Sequence, residues 1–372
     1  MASSEQFIRS ILEKAGIEVG GSRPWDILIH NDAFYGRVIS QGTLGFGEAY
    51  MQGWWDCPNV DQLIFRLLQV DVLELMPKAR DIALWVSLAR AFLFNRQRSR
   101  AFEVGEKHYD IGNDLYSRML DKRLIYSCGY WKDAETLDQA QEAKLDLICR
   151  KIGLEQGMRV LDIGSGWGGF LKFAAERYGI EGVGITVSRE QRQYAEDSTQ
   201  GLKLDFRLED YHDTQGSFDR IVSVGMFEHV GYKNYRGYFE KAAQLLSDRG
   251  LSLLHTIGGN ESVTHGDPWA EKYIFPNGML PSMRQIAEGV EHLFVVEDWH
   301  NFGADYDKTL MAWHANFEAA WPDISQTYDE VFHRMWRYYL LSFAGVFRAR
   351  RAQLWQVVLS KDGIPGGYQT IR

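Results

Sequence analysis

The chain has 372 residues, of which 45% are apolar and 24% are charged, and its formal net charge is −9. These values are typical of a globular protein with room for two or more domains, and the negative charge argues against general nucleic-acid binding. The cysteines Cys57, Cys128 and Cys149 are widely spaced. They predict neither a disulfide framework nor a metal knuckle, and they favour a reducing compartment. The N-terminus lacks the apolar core of a secretory signal, and the longest apolar tract, 82–94, is too short to cross a bilayer.

The sequence predicts two domains: a smaller, mainly helical N-terminal domain over 1–103, for lipid binding or membrane docking, and a catalytic domain over 104–372. The first elements along the chain are an amphipathic helix over 5–15 and a short strand over 25–29. Apolar spacing then predicts helices across 61–94.

Two segments of this first domain each allow two interpretations. Residues 45–56 are dense in glycine and aromatic residues, which is typical of a packed corner or of a lipid contact. Residues 90–100 mix arginines with aromatic residues. That composition suits either docking on an anionic membrane surface or a solvated linker.

The stretch 160–169, Val-Leu-Asp-Ile-Gly-Ser-Gly-Trp-Gly-Gly, predicts a strand, a tight turn and the start of a helix. Such a turn either binds a nucleotide or is simply a tight connection without a ligand. The next strand ends in Thr186 and not in the acid that dinucleotide-binding proteins place there. The Asp-x-Gly-x-Gly pattern resembles the first motif of class I methyltransferases that use S-adenosylmethionine.

Strands and helices alternate regularly after this turn. Strands are predicted over 182–187, 204–208, 219–225, 251–257, 294–299 and 354–359, with helices over 136–152, 189–198, 233–246, 305–320 and 326–349. This alternation predicts an α/β fold with a parallel, doubly wound sheet, in which ligands bind beyond the carboxyl ends of the strands.

Several linked motifs resemble those of the cyclopropane-fatty-acyl-phospholipid synthases, relatives of the mycolic acid cyclopropane synthases. They are Tyr-Ser-Cys-Gly-Tyr-Trp (126–131), the glycine turn (161–169), Met-Phe-Glu-His-Val-Gly (226–231) and Asn-Phe-Gly-Ala-Asp-Tyr (301–306), together with the N-terminal Gly-Glu-Ala-Tyr-Met-Gln-Gly-Trp-Trp (47–55). The resemblance implies a Rossmann-like, seven-stranded class I methyltransferase fold. One departure is Ser165, where members of the family usually have Cys; its small side chain preserves the turn.

The resemblance also implies a chemistry. S-adenosylmethionine gives its methyl group to a cis double bond in an acyl chain of a membrane phospholipid, and the cation that forms loses a proton as the cyclopropane ring closes. Such a cation requires a dry site, and each aromatic face can stabilise it by roughly 0.5–2 kcal/mol. Candidate aromatic residues are Tyr130, Trp131, Phe227, Tyr273, Phe275, Phe302 and Tyr306.

The base implied by the resemblance is a bound bicarbonate ion. Its site residues in this chain would be Cys128, Glu228, His255, Tyr306 and the backbone of Ile257. Ionised Glu228 can accept the O–H of bicarbonate, and the other side chains can donate to its oxygens. Two alternatives are a zinc site, for which no pair of ligands has suitable spacing, and a nucleophilic cysteine, for which no step needs a covalent adduct.

The resemblance further assigns residues to S-adenosylmethionine. Tyr126 and Ser127 would lie near its methionine end, Asp162, Gly164 and Gly166 along the turn, Thr186 and Gln191 at the ribose, and Tyr211 and His212 at the adenine.

Three functions remain open from the sequence: a cyclopropane synthase, a lipid methyltransferase that does not close the ring, and a non-catalytic lipid-binding protein. The intact turn and the Cys, Glu, His and Tyr set disfavour the third. The resemblance implies a homodimer that acts on unsaturated membrane phospholipids. It also implies peripheral association with the inner, cytoplasmic face of the cell membrane, with no metal and no nucleic acid.

Overall fold

The computed structural model describes residues 2–71 and 112–372. These residues divide into two units, a helical unit (2–71, 112–119, 265–278 and 310–351) and a sheet unit (120–264, 279–309 and 352–372). The domain boundary predicted at 103, the arginine-rich segment 90–100 and most of the helices predicted across 61–94 lie outside the described residues.

The elements are as follows. The α-helices of the described ranges are α1 (Ala2–Lys14), α2 (Ala33–Met51), α3 (Val60–Leu67), α4 (Asn113–Met119), α5 (Leu137–Lys151), α6 (Gly169–Tyr178), α7 (Arg189–Ser198), α8 (Tyr235–Leu245), α9 (Pro268–Tyr273), α10 (Met283–Val290), α11 (Ala304–Ile324) and α12 (Glu330–Arg348). The strands there are β1 (Leu28–Ile29), β2 (Trp55–Asp56), β3 (Arg159–Ile163), β4 (Glu181–Thr186), β5 (Leu204–Leu208), β6 (Phe218–Val224), β7 (Leu246–Gly259), β8 (Val295–Asn301) and β9 (Ala352–Ser360).

The helical unit buries the aromatic segment that follows the kink of α2. Trp55 is fully buried and its indole N–H donates to the carbonyl of Phe46 at 3.0 Å. Gly47 lies so close to Trp269 that a Cβ there would be 2.4 Å from the indole ring. Of the two interpretations of residues 45–56, these contacts support the packed corner.

A buried carboxylate links the same unit across a long sequence separation. Glu48 forms ion pairs with Arg37 and, at 2.6 Å, with Lys272, and it accepts a hydrogen bond from the hydroxyl of Tyr273 at 2.9 Å. The donors hold the pKa of this carboxyl below its ordinary value, although burial alone would raise it. The segment 265–278 is therefore fastened to α2.

The sheet unit contains a seven-stranded sheet in the order β5-β4-β3-β6-β7-β9-β8. Strands β3 to β7 are parallel, as predicted, but β9 runs antiparallel to both β7 and β8. The prediction of a parallel sheet is therefore wrong for β9, whereas β8, antiparallel to β9, points in the same direction as β7. All nine residues of β9 are buried, and burial along a whole strand identifies a central strand without fixing its direction.

Apolar cores cover both faces of this sheet, and successive residues of β3 point alternately into one core and the other. Val160 joins the core beneath α5 and α6, whereas Leu161 and Ile163 join the core beneath α8 and α10. Helix α5 starts at a capping box formed by Thr136 and Gln139. Among the helices that the structure describes, none is long and apolar enough to cross a membrane.

Candidate active site

The glycine turn after β3 has the close backbone geometry that its sequence predicts. Gly164 has φ +86°, and a Cβ at this position would lie 2.7 Å from Cβ of Met226. The backbone N–H groups of Gly164 and Ser165 both donate to the carbonyl of Ile185, at 3.0 and 2.9 Å. The Ser165 hydroxyl donates to the same carbonyl at 3.3 Å. Serine at this position therefore holds the turn and does not disturb it. Gly166 also has a positive φ, of +52°.

Asp162, the last residue but one of β3, is buried, and its Oδ1 has no hydrogen-bond partner within the described part of the chain. Burial raises the pKa of this carboxyl to about 7, and the nearby Lys144 ammonium lowers it in part. A buried acceptor without a donor is costly in the free protein. The site is therefore suited to a ligand that brings a hydrogen-bond donor.

Two residues that sequence reasoning missed fix the segment carrying Tyr126, Ser127 and Cys128. The Lys144 ammonium donates to the Ser127 hydroxyl at 2.8 Å, and the Gln141 amide donates to the Ser127 carbonyl at 2.7 Å. Both side chains are fully buried on one face of α5. A lysine at an apolar position of an amphipathic helix is the sequence signal that could have revealed them. Burial lowers the pKa of Lys144 to about 8.

The ends of β4 and β5 bring the residues predicted for the ribose next to one another. Thr186 donates its hydroxyl hydrogen to Oε1 of Gln191 at 2.9 Å. Ser188 caps α7 by accepting from the backbone N–H of Gln191. The backbone N–H of Glu209 donates to the carbonyl of Thr186, so the segment after β5 starts beside this pair.

The residues predicted for the adenine lie on that segment. The rings of Tyr211 and His212 stack with centroids 4.0 Å apart, and the Tyr211 ring also meets Tyr238 edge-on at 5.5 Å. His212 pairs with Asp210 at 2.7 Å. The stacked pair leaves His212 exposed and Tyr211 half-buried, an arrangement that offers a flat aromatic surface at the strand ends.

Glu228 lies in a short 3₁₀ turn after β6 and is joined to β7. Its Oε1 accepts a hydrogen bond from the backbone N–H of Ile257 at 2.7 Å, whereas its buried Oε2 has no partner among the residues described. Burial raises the pKa of Glu228 to about 7, offset in part by the Ile257 N–H. That N–H is already used, and the Ile257 carbonyl accepts from the Thr256 hydroxyl at 3.0 Å, so the backbone of Ile257 offers no further donor to an anion.

His255 is buried in the middle of the sheet, two residues before Ile257. Its Nδ1 lies 3.3 Å from Nε2 of Gln356 on β9, and its Nε2 lacks a partner within the two described ranges. Burial, reinforced by the charges of Lys144 and Lys151, holds the pKa of this imidazole well below its ordinary value. His255 is therefore neutral at physiological pH.

Cys128 is fully buried, and its thiol donates to the carbonyl of Gly129 at 3.2 Å. Burial raises its pKa well above the ordinary value, so the sulfur is a neutral thiol and a poor nucleophile. The neighbouring backbone is tied to the first turns of α11: Gly129 N–H donates to Thr309 Oγ1, and Trp131 N–H donates to the Asp305 carboxylate.

These contacts join Glu228 to Ile257 and tie the segment of Cys128 to the helix that carries Tyr306. Tyr306, also buried, lies on α11 between the two anchor points of the Cys128 segment. The Phe302 ring lies 5.3 Å from Tyr130 and 5.9 Å from His255. Tyr273 and Phe275 belong instead to the helical unit, where Tyr273 bonds to a carboxylate of α2.

Comparison with known proteins agrees with this site. Residues 96–357 match the family model described as mycolic acid cyclopropane synthetase. A cyclopropane-fatty-acyl-phospholipid synthase from Escherichia coli K12 is 52% identical over 363 residues, covering 97% of this chain and 94% of that protein. A tuberculostearic acid methyltransferase from Mycobacterium tuberculosis is 31% identical, over 91% of this chain and 84% of its own length.

Solved structures give the same result. A cyclopropane synthase from Mycobacterium tuberculosis has a TM-score of 0.65 at 29% identity, over 70% of this chain and 98% of that one. A mycolic acid cyclopropane synthase in complex with SAH and CTAB has a TM-score of 0.63 at 32% identity, with the same coverage. The fold is therefore that of the class I methyltransferases, and the chain belongs to the cyclopropane-fatty-acyl-phospholipid synthase family of S-adenosylmethionine-dependent methyltransferases.

Proposed function

We propose that this protein transfers the methyl group of S-adenosylmethionine to the cis double bond of unsaturated acyl chains in membrane phospholipids and closes a cyclopropane ring. The 52% identical relative that carries this activity in its name supports the substrate class. The single observation that carries the proposal is two buried polar atoms without a partner among the described residues: Glu228 Oε2, in the turn after β6, and His255 Nε2, on β7 two residues before the N–H that Glu228 accepts. A pair of this kind is suited to hold a small polar group in an otherwise apolar site.

The residues at the ends of β3, β4 and β5 fit S-adenosylmethionine, which supplies an electrophilic methyl group when bound. The positive φ of Gly164 brings the backbone close to a ligand without a side chain between them. The unpartnered Oδ1 of Asp162 can accept a hydrogen bond, and Thr186 and Gln191 provide adjacent polar atoms for ribose hydroxyls. The stacked Tyr211 and His212 suit the adenine.

We further propose that bicarbonate binds at Glu228, His255, Cys128, Tyr306 and the Ile257 backbone and supplies the base for ring closure. Glu228, when ionised, accepts the single O–H of the anion through Oε2, while its Oε1 stays bonded to the Ile257 N–H, so the Ile257 backbone acts by holding Glu228 in place. The neutral imidazole acts as a donor toward the anion's oxygens, and the neutral thiol of Cys128 would turn its S–H from the Gly129 carbonyl to the anion. A fixed, dry set of donors needs no rearrangement during the reaction.

The surroundings of this proposed anion site favour a carbocation and exclude water. Phe227, next to Glu228 in the chain, is fully buried, and Phe302, which contacts His255, and Tyr130, which contacts Phe302, are more than nine-tenths buried. Aromatic faces attract cations without acting as nucleophiles, each by roughly 0.5–2 kcal/mol. Dry aromatic walls therefore stabilise the cation that water would otherwise trap.

The test is to incubate the purified protein with S-adenosylmethionine and vesicles of an unsaturated phosphatidylethanolamine. We expect a gain of one CH₂ per acyl chain together with loss of the alkene signal, and a rate that depends on added bicarbonate. A methyl-branched product would instead support the second activity, which the name of the tuberculostearic acid relative makes a specific alternative. No product at all would leave only lipid binding.

We infer that the protein works as a peripheral enzyme at the inner, cytoplasmic face of the membrane and as a homodimer. The location of the substrate class in a bilayer supports the first inference, and family resemblance alone supports the second. Reversing the charges of the basic segment 96–100 should abolish flotation with anionic vesicles if that segment docks. Light scattering of the purified protein measures the oligomeric state.

A further inference from the structure

Gln356 is a buried polar residue that neither sequence motifs nor the site described above account for. It lies on β9, all of whose residues are buried, and it is itself fully buried. Its neighbours Trp355 and Val357 are apolar core residues. Burying an amide in such surroundings costs free energy unless the amide is hydrogen-bonded, so this residue requires an explanation.

The register of the sheet provides one. β7 and β9 pair antiparallel so that His255 and Gln356 are directly opposite, and residues opposite one another in such a ladder project on the same face. Nε2 of Gln356 is 3.3 Å from Nδ1 of His255. The amide oxygen of Gln356 has no partner in the part of the chain described, so the amide's one side-chain contact of this kind is with the imidazole.

We infer that Gln356 is a positioning residue that fixes the tautomer of His255. An amide N–H donates to Nδ1 only when that nitrogen carries a lone pair, which places the imidazole proton on Nε2. Nε2, which has no partner among the described residues, then carries the N–H and is a hydrogen-bond donor. This inference rests on the proposed function, since a donor at Nε2 is what the anion site requires of a neutral histidine.

The surroundings of His255 keep the imidazole in the neutral form that this tautomer needs. Burial and the ammonium groups of Lys144 and Lys151 disfavour the imidazolium. The aromatic ring of Phe302 meets the imidazole edge-on, with ring centroids 5.9 Å apart. With charge excluded, only the choice of tautomer decides whether Nε2 donates or accepts, and the Gln356 amide, whose nitrogen faces Nδ1, favours the tautomer protonated on Nε2.

The first test needs no substitution. Long-range ¹H–¹⁵N spectra of the full-length enzyme labelled with ¹⁵N-histidine, with His255 assigned from a His255→Ala sample, should show protonated Nε2 and unprotonated Nδ1. A proton on Nδ1 in the wild-type protein would overturn the inference.

The second test compares two variants with a matched control. In Gln356→Glu the carboxylate should draw the proton to Nδ1 and reduce kcat by about 100-fold or more, because the donor at Nε2 is lost. Gln356→Leu should give mixed tautomers and a loss of about tenfold, comparable to one hydrogen bond. Both should leave the Kd for S-adenosylmethionine within about threefold. The control is Gln353→Leu on the same strand, whose amide bonds to Asn260 and Asn301; it should leave the His255 signals unchanged.

The outcomes separate this inference from the proposed function. Unchanged His255 signals in both Gln356 variants would refute the positioning role. A wild-type enzyme whose turnover does not depend on bicarbonate would instead refute the anion site, while the tautomer result would stand.

Discussion

The buried carboxyl of Glu228 allows a test in which stability and activity must change in opposite directions with pH. Burial raises its pKa from 4.5 to about 7, so the folded protein holds this proton more tightly than the unfolded chain does. Ionisation therefore costs folding free energy. Below pH 4.5 the cost is absent, it grows as pH rises to 7, and above pH 7 it is constant at about 3 kcal/mol, since each pKa unit corresponds to about 1.4 kcal/mol.

The substitution Glu228→Gln removes this cost and keeps an oxygen for the Ile257 N–H. We expect the free energy of unfolding of the variant, relative to wild type, to rise by about 2–3 kcal/mol between pH 5 and pH 8. In thermal melts, the melting temperature of the variant relative to wild type should be a few °C higher at pH 8 than at pH 5. Activity should move the other way. Wild-type kcat should increase as pH passes through about 7, because the ionised carboxylate is the active form.

Turnover of Glu228→Gln should fall by about 10²–10⁴-fold, the usual effect of losing a group that manages a proton in the transition state. The Kd for S-adenosylmethionine, measured by calorimetry, should change by less than about threefold because this residue is assigned to the anion site. Rates are compared at a fixed concentration of bicarbonate ion. The control is Glu261→Gln, an exposed residue after β7. A stability difference that does not vary with pH, or equal losses of turnover and cofactor affinity, would refute the reasoning.

Three further predictions follow from other parts of the site. Gly164→Ala should destabilise the protein more than Gly201→Ala does in thermal melts, since both glycines have a positive φ but only Gly164 has a side chain within 3 Å of the added Cβ; equal effects would show that the close approach does not matter. Lys144→Met should raise the Kd for S-adenosylmethionine by roughly tenfold, because it frees Ser127 from a charged hydrogen bond worth about 1.5–3 kcal/mol. An unchanged Kd in calorimetry would contradict the role of Lys144 in holding Ser127 for the cofactor. Asp298→Asn should lower the free energy of unfolding in urea by about 3–5 kcal/mol, since it leaves the buried ammonium of Lys151 without its ion pair to Asp298. A loss below about 1 kcal/mol would mean that Lys151 becomes neutral in the variant.

The residues of the glycine turn determined their own local structure. Gly164 and Gly166 require a backbone that other residues avoid, and β3 before them and α6 after them follow from the spacing of apolar residues. The family motifs could be recognised because each is a short run of consecutive residues, and three of them, 161–169, 226–231 and 301–306, adjoin the ends of β3, β6 and β8. Helix α7 was predicted with the bounds that the structure gives.

Tertiary structure alone decided which distant residues meet. Nothing local to 352–360 fixes whether β9 runs parallel or antiparallel, yet that direction brings Gln356 opposite His255. The same holds for Ile257, whose N–H binds Glu228 from a neighbouring strand, and for Lys144, which reaches Ser127 from a helix. Local sequence fixes an element's type through backbone propensity and apolar period, whereas register and pairing depend on burial across the whole sheet.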